Sequence, residues 1–299
     1  MLRAACLLAV LLLALLRVWL AQGRPVRYGG LAGVELVPDG SPSPRFRVER
    51  VTLTTTTGRS LVCLLRTPPG LAPGARVPAI LVAGGRRTGR TAALHLDATF
   101  ALIGLSCDYP WAELARLRGA AFVRRLPKIR AEIVATPQAL ALAADVLAAR
   151  PEADPARVVG VGASLGVPPV AAWAARDPRV RAVALLYGGA ELDRVLEANL
   201  AEDVPSRLLR RPVAWALGRA LRPLEPGRTV GAIAPRPLLV VAGADDTWIP
   251  LRSVAALFAA AGEPKRLVWL RGEHVRTTNE ALLGTLSDSV RVWLSEVLP

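Results

Sequence analysis

The chain has 299 residues, 52% of them hydrophobic, enough to bury the core of one large α/β domain. Its formal charge is +14, and of its 38 basic residues only Lys128 and Lys265 are lysines. The arginines are scattered, with no run of five or six and no nucleic-acid motif, so the excess reads as solvated surface and no nucleic-acid partner is expected.

The first element is apolar. Met1-Leu2-Arg3 precedes an uninterrupted apolar run over residues 4–16, then Arg17 and Val18-Trp19-Leu20-Ala21. A short positive region before such a run marks residues 1–23 as a signal peptide or an N-terminal membrane anchor. Cleavage after Ala21 would put bulky Trp19 where a small side chain is wanted, and Arg17 can snorkel toward headgroups. An uncleaved anchor is therefore favoured, giving a membrane-anchored or envelope-exported protein. Arg3 faces Arg17, Arg24 and Arg27 across the segment, so both orientations stay open. Residues 24–45 read as a linker, rich in Pro, Gly and Ser over 37–44, and 46–299 as the folded domain.

Within that domain, residues 47–55 and 60–66 are β-rich runs joined by a hairpin through Thr57-Gly58. Strands are then predicted at 78–83, 101–107, 157–162, 180–187, 237–242 and 266–271. Helices are predicted at 90–100, 130–150 and 165–176, with a closing helix at 279–297. Short, wholly apolar strands alternating with helices specify an α/β fold: a mostly parallel central sheet with helices on both faces. Residues 189–234 break the rhythm with helical, arginine-rich sequence around Trp215 and read as a cap insertion. Cys6, Cys63 and Cys107 fit neither a metal site nor a disulfide framework, and Cys63 and Cys107 are most simply two small buried residues.

The segment Val158-Val159-Gly160-Val161-Gly162-Ala163-Ser164-Leu165-Gly166 carries the chemistry. A dinucleotide loop would need G-x-G-x-x-G and a carboxylate about 20 residues on. The third glycine arrives one place late, at Gly166, and the next strand ends in Leu186-Tyr187-Gly188 without a carboxylate. The G-x-S-x-G pattern of a nucleophile elbow is met by Gly162-Ala163-Ser164-Leu165-Gly166, between a predicted strand and helix. Such an elbow strains the serine backbone and crowds the two flanking positions, which must be glycine.

The serine needs a base, and there are only two histidines. His95 lies upstream in a predicted helix and reads as an ordinary helix residue. His274 follows the last predicted strand. Asp245 and Asp246, after the preceding strand, both stand where the acid belongs. Ser164, an aspartate, then His274 is the chain order of α/β-hydrolases.

From about residue 48 to 298 the sequence resembles the α/β-hydrolase superfamily, in particular its dienelactone-hydrolase-like and acyl-thioesterase-like serine esterases. The resemblance rests on the elbow, on the segment 234–250 and on Arg271-Gly272-Glu273-His274. It implies a G-x-x-D-x-x-[VI]-P acid segment, which selects Asp246 over Asp245. It also implies an oxyanion hole from the backbone N–H of Leu165 and of Gly85, with Arg86 in reserve, in a loop that lacks the usual histidine. No metal and no organic cofactor is implied. The expected activity is cleavage of a small-molecule carboxylic ester through an acyl-enzyme. The alternatives are an acyl-CoA thioesterase or acyltransferase on the same triad, or a non-catalytic binding protein. Arg207, Arg210 and Arg211 of the cap read as solvated, with attraction of an acidic acyl group as the other reading.

Overall fold

A computed structural model describes residues 24–40, 45–96 and 101–298; the expected anchor over 1–23 lies outside the described residues. Nine strands form one sheet: β1 (Leu31–Pro38), β2 (Arg47–Thr55), β3 (Ser60–Thr67), β4 (Val77–Ala83), β5 (Ile103–Cys107), β6 (Ala153–Ala163), β7 (Val180–Leu186), β8 (Leu238–Gly243) and β9 (Lys265–Leu270). Their order is β1-β2-β3-β5-β4-β6-β7-β8-β9. The strands β1, β2, β3 and β5 pair antiparallel, and the run from β5 to β9 is parallel.

The apolar strands feed two cores because alternate side chains point to opposite faces. Ala79 and Leu81 of β4 join one core, with Leu185 and Val240, under the helices α1 (Gly119–Ala148) and α2 (Val167–Ala174). Ile80 and Val82 join the other, with Val161 and Val241. That second core is closed by the last helix. Between α2 and this closing helix lie α3 (Leu192–Asn199), α4 (Arg207–Ala220) and α5 (Leu251–Ala260), so the closing helix is α6 (Glu280–Val297). Asn279 caps α6 by accepting the Leu282 N–H at 3.1 Å.

Four expectations are corrected. Within the stretch read as linker, Leu31–Pro38 pairs with β2 as an edge strand, and Tyr28 is buried, its N–H donated to Gln138. The described part of the helix predicted at 90–100 is instead a 3-10 turn over Gly89–His95; residues 97–100 lie outside the described residues. There Asp108 accepts the Arg90 N–H and Ser106 accepts the Ala93 N–H, tying the turn to the end of β5. The helix predicted at 130–150 starts at Gly119, carrying Pro127 inside it. Pro127 removes one ladder hydrogen bond without ending the helix. Finally, Cys63 and Cys107, read as separate buried residues, face each other across the β3–β5 ladder and form a disulfide.

The 189–234 region lies between β7 and β8 and holds α3, α4 and short turns at Arg222–Leu224, Pro226–Thr229 and Val230–Ile233. Its two ends are tied by one side chain. The Glu225 carboxylate accepts N–H groups from Glu191, Leu192 and Gly227 at 2.8–3.1 Å. The Arg130 guanidinium of α1 supports it by donating to the Ala220 carbonyl at 2.9 Å.

Candidate active site

Ser164 stands directly after β6, at the carboxyl end of the sheet, with φ of 53°, in the left-handed region. The flanking glycines show why this turn is possible. A Cβ on Gly162 would lie 2.7 Å from the Gly166 carbonyl oxygen, and one on Gly166 only 1.8 Å from that of Ala83. Both obstacles are backbone, so only glycine fits. The chain then makes a 3-10 turn over Ser164–Gly166 and enters α2, with prolines in its first turn, where no intrahelical donor is lost.

The turns after β8 and β9 bring two more side chains to the serine. His274 Nε2 lies 2.8 Å from Ser164 Oγ, and His274 Nδ1 lies 2.7 Å from Asp246 Oδ2. Asp246 and His274 are both buried. The other Asp246 oxygen accepts the N–H groups of Trp248 and Ile249 at 2.8 and 3.1 Å, which fixes the carboxylate plane. With the Nδ1 proton on the Asp246 side, Nε2 is free to accept the serine hydroxyl. Asp245 points elsewhere: its exposed carboxylate accepts the Gly272 N–H at 3.0 Å and clamps the β8 and β9 turns together. The structure thus puts Asp246, not Asp245, beside His274.

Side chains that the sequence reading did not single out surround the imidazole. Trp248 stacks on it with ring centroids 5.0 Å apart, and Tyr187 meets it edge-on at 5.7 Å. Burial, with the Asp246 charge adding, pushes the Tyr187 hydroxyl up to about 12. Tyr187 too has a φ of 53°, the second strained non-glycine residue at the ends of the central strands. Asn199 of the cap donates to the Trp248 carbonyl at 2.9 Å, tying cap to acid turn. Nothing local in the sequence signals these contacts, which join residues from separate strand ends.

The loop after β4 passes close to Ser164. A Cβ on Gly85 would be 3.8 Å from that of Ser164. The buried Tyr109 hydroxyl donates to the Gly84 carbonyl, and in a trans peptide this aims the Gly85 N–H the opposite way. Among the described residues no acceptor is seen for that N–H. Leu165, the residue after the serine, and Arg86 line the same cavity. His95, at the end of the 3-10 turn, also lines it, and burial pushes its pKa below the ordinary histidine value. The cavity holds about 820 Å³ and opens on Ser164 and His274. Arg207, Arg210 and Arg211 do not line it: the first and third pair with Glu197, and Arg210 donates to the Val204 carbonyl. Arg86, Arg87, Arg276 and Arg291 line it instead.

No family model and no curated protein matches the chain. Solved structures do. Acetyl xylan esterase 1 from a Thermoanaerobacterium species is 17% identical with a TM-score of 0.58, over 90% of this chain and 89% of that one. An acetyl xylan esterase from a Paenibacillus species is 16% identical with a TM-score of 0.62, over 91% and 92%. The esterase domain of a Rhodothermus marinus protein is 20% identical with a TM-score of 0.58, over 84% and 99%. At these identities the likeness is one of architecture; a further neighbour, an α/β hydrolase from a Penicillium species, is 18% identical with a TM-score of 0.57, over 84% of this chain and 99% of that one. The chain has the α/β-hydrolase fold.

Proposed function

We propose that the protein is a serine hydrolase that cleaves a small-molecule carboxylic ester. The observation that carries this reading is the continuous chain of short contacts from Ser164 through His274 to Asp246. In the proposed reaction His274 Nε2 takes the Ser164 proton as Oγ bonds to the ester carbonyl carbon. The resulting oxyanion is held by the N–H groups of Leu165 and Gly85. The C–O bond to the alcohol breaks and the alcohol leaves with the proton from His274. Water then attacks the acyl-enzyme with His274 again as base, releasing the acid and restoring Ser164. Asp246 holds the imidazole tautomer and stabilises its charged form throughout. The esterase names of the structural neighbours are in keeping with this chemistry.

Location belongs to the same proposal. The segment over residues 4–21, apolar but for Arg17, supports attachment to a membrane, and the Cys63–Cys107 disulfide supports an oxidising compartment outside the cytoplasm. The enzymatic reading is tested with a fluorophosphonate probe. Covalent labelling of Ser164 is expected, with labelling and ester turnover both lost in Ser164→Ala. A folded wild-type protein that resists the probe and cleaves no ester would overturn it.

A further inference from the structure

The cavity at Ser164 is far larger than an acetyl group needs. At about 820 Å³ it matches sites that enclose whole ligands of several hundred daltons. It reaches to both sides of the serine. One side lies under the cap, against Val195, Leu196 and Leu221. The other begins at Ala163, next to the nucleophile, and runs between Val161 and Leu186 of the sheet and Leu286, Val290 and Leu294 of α6.

Among the described residues, the β4–β5 connection contributes the seven-residue turn Gly89–His95, whose Ala92 and His95 line the cavity together with Ile80 and Val82 of β4. Hydrogen bonds from the Arg90 and Ala93 N–H groups to Asp108 and Ser106 hold that turn on the end of β5. Most of what faces this side of the cavity is aliphatic. The polar groups on that side are His95, Thr278, Ser287 and Arg291, and Arg291 is paired with Asp288 at 2.9 Å. A sugar lying against Val161, Leu186, Leu286, Val290 and Leu294 would turn most of its hydroxyls to side chains that cannot pair with them, whereas an alkyl chain has none to satisfy.

Building on the serine-hydrolase reading above, we propose that the acyl group is a medium- or long-chain aliphatic acid lying along α6. From Leu286 to Leu294 the helix rises about 12 Å, room for an extended chain of about eight carbons or more. The alcohol portion then lies on the cap side.

The test uses the full-length protein and p-nitrophenyl esters from acetate to decanoate, with active sites counted by the fluorophosphonate probe. Each methylene buried is worth about fourfold, so kcat/KM is expected to rise by about two orders of magnitude from butyrate to octanoate. Val290→Phe, which fills the α6 side, is expected to lower the decanoate-to-acetate ratio by about tenfold or more, and Leu286→Phe serves if Val290→Phe yields no labelled sites. Decanoyl-CoA assayed beside decanoyl p-nitrophenol separates a thioester from an oxygen-ester source; chain-length dependence in either supports the proposal. Probe labelling with acetate as the best substrate overturns the chain-length inference alone. An equal ratio in Val290→Phe with a fall in Val195→Phe overturns the placement along α6. Absence of both labelling and turnover brings down the hydrolase reading itself.

Discussion

Asp245 and Asp246 are adjacent and chemically identical, yet the turn sends one to His274 and the other to the Gly272 N–H. Asp246→Asn is expected to lower kcat by about four orders of magnitude, because the wrong imidazole tautomer then faces Ser164. Asp245→Asn should change it less than about tenfold, since a neutral amide oxygen still accepts the Gly272 N–H. Steady-state kinetics on both folded variants checks the difference, and equal losses would move the acid role to Asp245. Asp177 gives a different, pH-linked expectation. Burial pushes its carboxyl up, but hydrogen bonds from Arg179 and the Trp173 indole outweigh this and hold it below the usual carboxylate range. A carboxylate lowered in the folded state stabilises above its unfolded value, about pH 4, and that stability is lost as pH falls further. Acid unfolding should therefore be less steep in Asp177→Asn, followed by circular dichroism. At this scale Ser164, the aspartate pair and His274 were legible because motif spacing and chain order are local or ordinal properties. Trp248, Tyr187 and Tyr109 were not, because only the packing of separate strand ends brings them to the site.

Among the elements, the elbow is the least tolerant. Gly166→Ala drives a Cβ into the Ala83 carbonyl of the neighbouring strand, so loss of both Ser164 labelling and thermal stability is expected. Gly284 is the contrast. It lies inside α6 with open space around it, so Gly284→Ala should stabilise the protein by about 0.5–1 kcal/mol, measured by denaturant unfolding. The central strands β4 and β8 were readable because burial on both faces makes them apolar without interruption, and β6 and β7 because each carries an apolar run into the core. The edge strand β1 was not, since its residues are mostly exposed and its sequence follows a glycine- and proline-rich pattern. The turn at Gly89–His95 looked helical because the side chains that anchor it, Ser106 and Asp108, come from the following strand end and are invisible in the local pattern.

For the molecule as a whole, the disulfide joins β3 to β5 across 44 positions of sequence, a pairing fixed by strand order and hence invisible in cysteine spacing. Closing a loop of that length is worth about 4 kcal/mol in the chain-entropy model. Reductant, or Cys63→Ser with Cys107→Ser, should lower the melting temperature by many degrees in calorimetry, and an unchanged value would show that the bond does not form. The apolar N-terminus should keep the full-length protein in the membrane fraction; a soluble product whose first residue is near Gln22 would refute the anchor. The knot of hydrogen bonds at Glu225 reaches further. Because one carboxylate gathers the entry and exit of the cap, the two ends of the insertion meet at one joint, with Asn199 as a tether to the acid turn at Trp248. A lineage that keeps the Glu225 joint and the Asn199 tether can lengthen, trim or exchange the rest of residues 192 to 224 without re-aiming the reacting groups, so this fold can change diet while keeping its teeth.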